Sequence, residues 1–392
     1  MRPEGFVLTL LRVAHLVPAL VKGGGERAAV DLANWQALQG HDVSIIAGRF
    51  VDEALLRSSV NSGVEVKYIS RRGGRIRRYL EGPIWLFKMR RWLSGFDVIH
   101  AHLSFSAAML TLVGIWRSLT GSTRPVLVET YHAVGMPISD YAKTIHGWMA
   151  KRRDAFVLMA EDSYWREFRS CRPDLRIPII PNGLNPSPPL ARSDARVRDY
   201  ARRANIDSVG QMIVGNIGRL VAERRPDLLA GALCSIGRHG PDSIQFLIVG
   251  EGPERDVLAR AFSDAGLSGR VHLPGSAIEP VVPISLMDLY ISLNVGPITG
   301  LAGLEAAQCG VPVIAIQLDA QYSTGAGDWI WSDHSPEKVA VEALRLLADA
   351  EARRKLGNQQ KEYAKSHFSI ESMGLAYEAL YADLLADPRG PR

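Results

Sequence analysis

The chain has 392 residues, of which 47% are hydrophobic and 22% are charged. This length favours two domains with separate cores, and the composition excludes collagen-like, coiled-coil and wholly disordered proteins. The formal net charge of +5 is uneven: residues 1–185 hold 25 Lys and Arg against 16 Asp and Glu, and the remainder hold 21 against 25. A basic first half favours an anionic partner such as a phosphorylated substrate or a membrane surface. No nucleic-acid-binding motif accompanies the charge, so nucleic acid is not expected as a partner.

Cysteine usage and the apolar runs bear on location. Three cysteines are scattered without metal-type spacing: Cys171, Cys234 and Cys309. They are typical of reduced thiols in a cytosolic protein. The longest apolar run, 107–116, is shorter than the roughly 18 residues of a membrane-spanning helix. Residues 6–21 resemble a signal peptide, but Arg12 and His15 interrupt them, so we predict a short leader, a first strand and a cytoplasmic protein.

The first half repeats a strand, loop and helix pattern. The apolar run Arg12–Val17 predicts a strand, 18–27 a glycine-containing loop, and 28–39 a helix. This order opens a nucleotide-binding α/β domain, in which glycine lets the backbone approach a ligand. The loop does not match G-x-G-x-x-G, which disfavours a dinucleotide fold. Further strands are predicted at 43–47, 64–69, 96–102, 126–130 and 155–160.

Histidines follow two of these strands. His100 and His102 end the strand over 96–102, and His132 follows the strand over 126–130. Ligands of open α/β sheets bind at the carboxyl ends of strands, which makes at least one of the three a candidate. The alternative is a hydrogen-bonded packing role. The spacing is not that of a short metal-ligand motif, and no metal is predicted.

Residues 71–92 combine basic and aromatic side chains. The basic residues are Arg71, Arg72, Arg75, Arg77, Arg78, Lys88, Arg90 and Arg91, and the aromatic residues are Tyr79, Trp85, Phe87 and Trp92. Such a segment resembles an amphipathic helix at an anionic membrane surface. The alternative is a solvated basic loop followed by a helix that packs its aromatic residues into the core.

The second half restarts the pattern after a proline-rich linker at 185–193. Strands are predicted at 212–217, 244–249, 271–275, 288–293 and 311–316. Residues 218–226 place arginines on the turn after the first of these strands, which suits a diphosphate because arginine binds phosphate oxygens bidentately. Surface salt bridges are the alternative. Residues 336–366 are predicted to be helical, and 373–385 to form a final amphipathic helix.

A glycine- and proline-rich loop over 295–299 runs into a predicted helix over 300–309, which Gly310 ends. The start of that helix presents unpaired N–H groups, which favour an anion and best of all a phosphate. Glu305 lies one turn further along, where a carboxylate can reach a sugar hydroxyl. The alternative is an ordinary loop, helix and strand of an α/β domain.

Taken in order, these segments resemble the retaining glycosyltransferases of family 4, which have the GT-B fold. The resemblance covers nearly the whole chain and rests on Gly23–Arg27, His102, Thr130–His132, Ile180–Gly183, Gly218–Leu220 with Arg224, Val249–Pro253, Val271–Gly275, Gly300–Glu305 and Gly310–Val313. It implies an α/β protein of two Rossmann-like domains whose parallel sheets face a central cleft. The acceptor-binding domain would span 1–187, joined by the C-terminal helix 373–386, and the donor-binding domain 188–372.

The resemblance also implies roles for individual residues. Arg219 and Arg224 would hold the donor diphosphate, and the N–H groups at Gly300 and Leu301 would help to cap it. Glu305 would bond the ribose of the nucleotide. The implied catalytic set is Arg219, Arg224, His132 and Glu305.

Other implied positions lie in loops of both domains. Backbone near Leu273 would meet the nucleotide base, and His132 would lie near the donor sugar. Gly23 and Gly24 would approach the phosphate or the acceptor from the first domain. The remaining donor-loop positions are Gly218, Gly250 and Glu251.

The activity implied by the resemblance is sugar transfer with retention, from a UDP- or GDP-sugar to a saccharide or lipid-linked acceptor in bacterial surface polysaccharide or glycolipid assembly. Cationic side chains and a helix dipole would stabilise the leaving diphosphate, so neither a cofactor nor a metal is expected. Two departures stand out. Arg224 replaces a lysine, and Pro297 replaces the first of two glutamates, the second being Glu305. The missing glutamate leaves open a nucleotide-sugar-binding protein with weak or no transfer activity. A sugar epimerase of the same fold would need more cleft carboxylates.

Overall fold

A computed structural model of the chain describes residues 10–20, 23–49, 59–70, 77–132, 140–160, 175–206, 210–294, 300–317, 330–332 and 335–387. The chain separates into two compact units. The first comprises Met1–Gly183 with Ile370–Arg392, and the second comprises Leu184–Ser369. Each unit has its own sheet and its own buried apolar clusters.

The first unit is built on a six-stranded parallel sheet in the order β3-β2-β1-β4-β5-β6. Its strands are β1 (Arg12–Val17), β2 (Asp42–Arg49), β3 (Val64–Ser70), β4 (Val98–His102), β5 (Val126–Tyr131) and β6 (Ala155–Leu158). The central strands are buried along almost their whole length, as a parallel sheet covered on both faces requires. The six predicted strands are confirmed, with ends that differ by no more than about two residues.

The helices of the first unit cover this sheet. They are α1 (Gly24–Leu38), α2 (Arg77–Leu93), α3 (Leu103–Thr120), α4 (Asp140–Ala150) and the last helix of the chain, α12 (Ile370–Ala386). Gly374 of α12 packs against Trp35 of α1 so closely that a Cβ atom there would lie 2.3 Å from the indole ring. The prediction that α1 begins at residue 28 is wrong. Gly23 is the N-cap, so Gly24 belongs to the first turn of the helix.

Helix α3 is the one helix in the described part of the chain that is long and apolar enough to cross a membrane, with a mean hydropathy of 1.3 over 18 residues. The predicted apolar run 107–116 therefore understates its length. Half of the helix is buried. Phe105, Met109 and Leu110 pack in one cluster with Leu16 of β1 and Ile99 of β4, which is how a core helix packs.

The second unit repeats the same strand order as β12-β11-β10-β7-β8-β9, again with parallel pairs. Its strands are β7 (Met212–Ile217), β8 (Ile244–Val249), β9 (Val271–Gly275), β10 (Leu289–Asn294), β11 (Val313–Gln317) and β12 (Ile330–Ser332). Five of the six were predicted, and β12 was not. The strand order reverses between β1 and β4 in one unit and between β7 and β10 in the other, and such switch points are where open α/β sheets bind ligands.

The helices of the second unit are α5 (Ala195–Arg203), α6 (Pro226–His239), α7 (Arg255–Asp264), α8 (Val281–Ile284), α9 (Leu301–Gln308), α10 (Pro336–Ala348) and α11 (Ala350–His367). The helical segment predicted over 336–366 is divided at Asp349. The carboxylate of Asp349 accepts hydrogen bonds from the N–H groups of Glu351 and Ala352, both at 2.9 Å. This is the side-chain cap with which aspartate starts a new helix.

Candidate functional site

Arg224 approaches the start of α9 at the switch point of the second unit. It ends a 3-10 turn, Ala222–Arg224, between β7 and α6. Its Nη1 atom lies 3.9 Å from the position that a Cβ atom at Gly300 would occupy, and Gly300 is the N-cap of α9. Two positions chosen from distant parts of the sequence therefore lie side by side.

Arg219 and Arg224 form a concentrated positive charge. The pKa of the Arg224 guanidinium is lowered, first by partial removal from water and then by the charge of Arg219, although both residues remain exposed to solvent. An arginine stays protonated despite such a shift. Among the residues that the structure describes, neither guanidinium has an ion-pair partner. An anion between them would relieve their repulsion.

The neighbouring Arg225 is engaged differently. Its guanidinium pairs with Asp227 at 2.7 Å, and this hydrogen bond raises the pKa of Arg225. The pattern of residues alone did not separate the two adjacent arginines, whereas the resemblance to family 4 selected Arg224. The structure directs Arg224 toward α9 and ties Arg225 to the first turn of α6.

The N-terminus of α9 presents backbone N–H donors that have no acceptor within the helix. Gly300 provides no side-chain cap, and the first intrahelical bond runs from the N–H of Leu304 to the carbonyl of Gly300 at 3.1 Å. The N–H groups of Leu301, Ala302 and Gly303 consequently have no acceptor within the helix. Together with the helix dipole they favour an anion beside Arg224.

Glu305 and Tyr290 are buried residues whose electrostatic interactions connect them with this site. Glu305 is only 7% exposed. Burial, and then the charge of Glu305, raise the pKa of the Tyr290 hydroxyl, whereas the charge of Arg224 opposes the shift. That hydroxyl donates to the carbonyl of Ile217 and accepts from its N–H, both at 3.0 Å. Tyr290 thus fixes the end of β7 immediately before Gly218. The sequence analysis missed it because a tyrosine in an apolar strand carries no signal.

Gly218, Gly250 and Glu251 join neighbouring loops. The N–H of Leu220 donates to the carbonyl of Glu251 at 3.0 Å, and the N–H of Gly250 donates to the carbonyl of Gly275 at 2.9 Å. A Cβ atom at Gly250 would lie 1.8 Å from the carbonyl oxygen of Gly218. Gly250 therefore allows two loops to touch, and contact of these residues with a ligand stays a prediction.

The backbone at Leu273 is irregular. The pairing of β8 with β9 shifts register between Leu247 and Val249. The carbonyl of Leu273 accepts a hydrogen bond from Nη2 of Arg255, whose Nη1 lies 3.8 Å from Oε1 of Glu251. Contact of this backbone with a nucleotide base stays a prediction.

In the first unit, His132 lies against the start of α1. A Cβ atom at Gly25 would lie 3.2 Å from Cγ of His132, and one at Gly23 would lie 2.2 Å from Oε2 of Glu26. Gly24 is exposed in the first turn. The three predicted positions of this domain, Gly23, Gly24 and His132, therefore belong to one locality at the carboxyl edge of the sheet.

His132 is the end of a hydrogen-bonded chain. Its Nε2 lies 3.1 Å from Nδ1 of His102, and Nε2 of His102 lies 3.1 Å from Nδ1 of His15. Nε2 of His15 lies 2.7 Å from Oε1 of Gln36. Burial lowers the pKa of His15 and of His132 to about 4 and that of His102 well below its usual range. All three imidazoles are neutral at neutral pH. The sequence analysis missed Gln36 and His15.

The buried histidines also have the proximity of a metal site. Potential ligand atoms of His15, His100 and His102 lie within 4.8 Å of one another. Every ring nitrogen of the three already has a hydrogen-bond partner; those of His100 bond to Tyr381 and Thr130, both at 2.7 Å. A bound ion would have to displace these bonds. Independence from metal stays a prediction.

A cavity of about 400 Å³ in the first unit lies elsewhere. It is lined by Gly114, Arg117, Ser118, Trp148, Lys151, Arg152 and Arg153. Arg153 precedes β6 and Arg117 lies in the last turn of α3, which puts the cavity at the amino edge of the sheet. Ligands of such sheets bind at the opposite edge. Pro297 and residues 71–76 lie outside the described residues.

Comparisons with known proteins agree with this architecture. Residues 22–188 match Glycosyltransferase Family 4, and residues 211–349 match Glycosyl transferases group 1. The GDP-mannose-dependent alpha-(1-6)-phosphatidylinositol monomannoside mannosyltransferase of Mycolicibacterium smegmatis is 25% identical over 326 residues, which are 80% of this chain and 83% of that protein. The N-acetyl-alpha-D-glucosaminyl L-malate synthase of Bacillus anthracis is 28% identical over 155 residues, 37% of this chain and 39% of that protein.

Solved structures give the fold. Anabaena HepE, crystallised with UDP and glucose, has a TM-score of 0.73 at 16% identity and covers 95% of this chain and 100% of its own. Sucrose-phosphate synthase from Thermosynechococcus elongatus has a TM-score of 0.70 at 19% identity, over 96% of this chain and 99% of its own. With both units matched to glycosyltransferase families, the chain belongs to the family 4 type of GT-B glycosyltransferases and is an enzyme that transfers sugars.

Proposed function

We propose that this enzyme transfers a sugar, with retention, from a UDP- or GDP-sugar to a saccharide or lipid-linked acceptor in bacterial surface polysaccharide or glycolipid assembly. The observation that carries the proposal is the approach of Arg224 to Gly300 at the start of α9. Two relatives support the donor class, since one was crystallised with UDP and another is named as GDP-mannose-dependent.

In this proposal the second unit holds the donor diphosphate. Arg219 and Arg224 supply positive charge from one loop, and the N–H groups at the start of α9 supply it from another. Both stabilise negative charge that grows on the diphosphate as the bond to the sugar breaks. In this proposal the positive charge of the arginines and the helix start stabilises the diphosphate in place of a metal ion, and no covalent enzyme nucleophile is required. Glu305 then bonds the ribose.

The sugar and the acceptor would contact the first unit. His132 lies beside the first turn of α1 and is neutral at neutral pH. A neutral imidazole can exchange a hydrogen bond with a hydroxyl group without adding charge. His132 would in this way orient the donor sugar.

We further propose that α2 rests on an anionic membrane on the cytoplasmic side. Leu80, Ile84 and Phe87 are 70%, 59% and 67% exposed, and their spacing of four and three residues puts them on one face of the helix. Lys88 and Arg91 are exposed on the same helix. Exposed apolar side chains flanked by cations suit the boundary between headgroups and acyl chains.

The two tryptophans of α2 follow the core-helix interpretation instead. Trp85 and Trp92 pack against the apolar core of the first unit, and Trp92 makes an edge contact with Phe96 at 4.7 Å between ring centroids. The helix therefore divides its aromatic residues between an inner and an outer face.

Vesicle co-sedimentation tests the membrane proposal. The triple variant L80S/I84S/F87S should lose binding to vesicles that contain phosphatidylglycerol, and the wild type should bind pure phosphatidylcholine weakly. L119S is the control, because Leu119 is 82% exposed on α3. Equal binding of the triple variant and L119S would refute the proposal.

A thermal-shift screen with UDP, GDP, ADP and TDP tests the function, followed by assays of donor hydrolysis and sugar transfer. A ligand at about 100 times its Kd stabilises a protein by about 2.7 kcal/mol, so one nucleotide should raise the Tm clearly. No shift with any of the four would contradict the donor site. Binding without hydrolysis or transfer would instead favour the alternative based on Pro297, a protein that binds nucleotide sugars without transferring them.

A further inference from the structure

We propose that Gln36, His15 and His102 are positioning residues that fix the tautomer of His132 and leave its Nδ1 atom as a hydrogen-bond acceptor for a hydroxyl group. The identity of that hydroxyl, on the sugar or the acceptor, rests on the proposed function. The tautomer itself follows from the hydrogen-bonded chain together with the orientation of the Gln36 amide, whose Oε1 faces His15.

The direction of the chain starts at Gln36. Oε1 of Gln36 can only accept, so Nε2 of His15 carries the hydrogen of their 2.7 Å bond. A neutral imidazole has one N–H group, so Nδ1 of His15 is an acceptor. His102 must then donate from Nε2 to His15, and Nδ1 of His102 accepts in turn.

The last step fixes His132. Because Nδ1 of His102 accepts, Nε2 of His132 donates across their 3.1 Å contact. Nδ1 of His132 then carries a lone pair and no hydrogen. Each assignment needs neutral rings, and burial provides for this by lowering the pKa of all three histidines.

The hydrogen-bonded chain ends at Nδ1 of His132. Nδ1 of His132 is buried and has no hydrogen-bond partner in the described part of the chain. A buried polar atom without a partner is destabilising, and such atoms in native structures call for an explanation. This atom belongs to a residue at the carboxyl edge of the sheet, beside Gly25 of α1. A ligand hydroxyl that reached this atom would complete the hydrogen-bonded chain.

The strained backbone next to His102 supports a functional role for the hydrogen-bonded histidines. His102 ends β4, and Leu103 begins α3 directly with φ of 69°. Leucine in this left-handed region is a genuine outlier whose backbone is strained. Strain of this kind persists where surrounding structure imposes it, and it gathers at functional sites. Here it accompanies the sharp turn that follows His102.

His100 provides a matched control. It lies on the same strand as His102, is fully buried, and its ring centroid is 5.3 Å from that of His15. Its own nitrogens bond to Tyr381 and Thr130, so it is outside the chain. Removing it deletes a buried imidazole without breaking the path from Gln36 to His132.

The test is long-range proton–nitrogen NMR of the whole chain labelled with nitrogen-15 in histidine, with the His132 signals assigned by their loss in His132→Gln. The wild type should show a pyridine-type Nδ1 and a pyrrole-type Nε2 at His132. His15→Phe and Gln36→Met should move the Nδ1 signal toward the tautomeric average of free imidazole. His100→Phe should leave it at the wild-type position.

A protonated Nδ1 in the wild type would overturn the proposal, as would an unchanged His132 signal in His15→Phe or in Gln36→Met. The wild-type spectrum decides even if a variant fails to fold. Where transfer is measurable, His15→Phe and Gln36→Met should each lower kcat/KM about two- to tenfold, the effect of one lost neutral hydrogen bond. If the wild type binds no nucleotide, the proposed function fails, and the spectra still decide the tautomer.

Discussion

Arg224 and Gly300 meet where the strand order of the second unit reverses: Nη1 of the arginine lies 3.9 Å from the site of a Cβ atom at the glycine. Gly300 has no side chain, so residue 300 does not fill the space between the Arg224 guanidinium and the N-terminus of α9. An anion placed there receives charge from both sides. A side chain introduced at position 300 would occupy this space.

The variant Gly300→Asp should block this space. Aspartate and glycine differ little as N-caps, and φ of −65° at Gly300 suits any residue. The Tm should therefore change little, while the new carboxylate pairs with Arg224 and weakens UDP or GDP binding more than about tenfold. Gly300→Ala is the control and should bind within about threefold of the wild type. Calorimetry that shows both variants bind equally would contradict the proposed anion position.

Glu305→Gln should weaken binding through the ribose. The substitution keeps the size of this buried side chain and removes its charge. Loss of a hydrogen bond to a charged acceptor costs about 1.5–3 kcal/mol, which is roughly ten- to a hundredfold in Kd. A dideoxynucleoside diphosphate, which lacks the ribose hydroxyls, should bind the variant and the wild type alike. An equal loss of affinity for both ligands would assign Glu305 a structural role instead.

Gly250→Ala should destabilise the second unit severely. Its Cβ atom would lie 1.8 Å from the carbonyl oxygen of Gly218, and two hydrogen-bonded loops would have to separate. The expected loss is about 3 kcal/mol or more in the free energy of unfolding. Gly266→Ala is the control. Gly266 has φ of 72°, and a Cβ atom placed there would have no neighbouring atom within 4 Å. This variant should lose only about 1 kcal/mol in the free energy of unfolding. Similar Tm values for the two variants would refute the close approach.

Acid should weaken the first unit through its buried histidines. The pKa of His15 is lowered from 6.5 to about 4 by burial, so between these values the unfolded chain binds more protons than the folded one. Its contribution is complete above pH 6.5 and disappears as the pH falls toward 4, and it amounts to about 3 kcal/mol at most. His132 behaves in the same way.

Urea unfolding at about pH 7 and about pH 5 measures this effect. The midpoint should be clearly lower at the acid value. His15→Phe should show a smaller difference between the two pH values than the wild type. Identical wild-type midpoints would contradict the burial of neutral histidines.

All described strands except β12 were predictable because each is a local apolar run. The helix boundaries were less so: α1 starts at Gly24 because Gly23 serves as its N-cap, although the glycines suggested a loop. Asp349 divides α10 from α11 by a side-chain cap, which an alternation of charged and apolar residues does not reveal.

The site was predictable where a motif is local and unpredictable where partners are distant. The family resemblance selected Arg224 over the adjacent Arg225, and the fold adds the physical reason, since Arg224 lies beside α9 and Arg225 is paired with Asp227. His15 bonds to His102 across 87 positions of sequence. No local pattern connects these two residues, so tertiary structure was needed to find the chain.

The most direct measurement compares Arg224→Gln with Arg225→Gln by calorimetric titration of the nucleoside diphosphate that stabilises the wild type. Both variants remove one guanidinium from adjacent positions. We expect Arg224→Gln to lose about ten- to a hundredfold in Kd, the value of a charge-assisted contact with phosphate. Arg225→Gln should bind within about threefold of the wild type because its guanidinium already pairs with Asp227. Equal affinities of the two variants would contradict a diphosphate site between Arg224 and the start of α9.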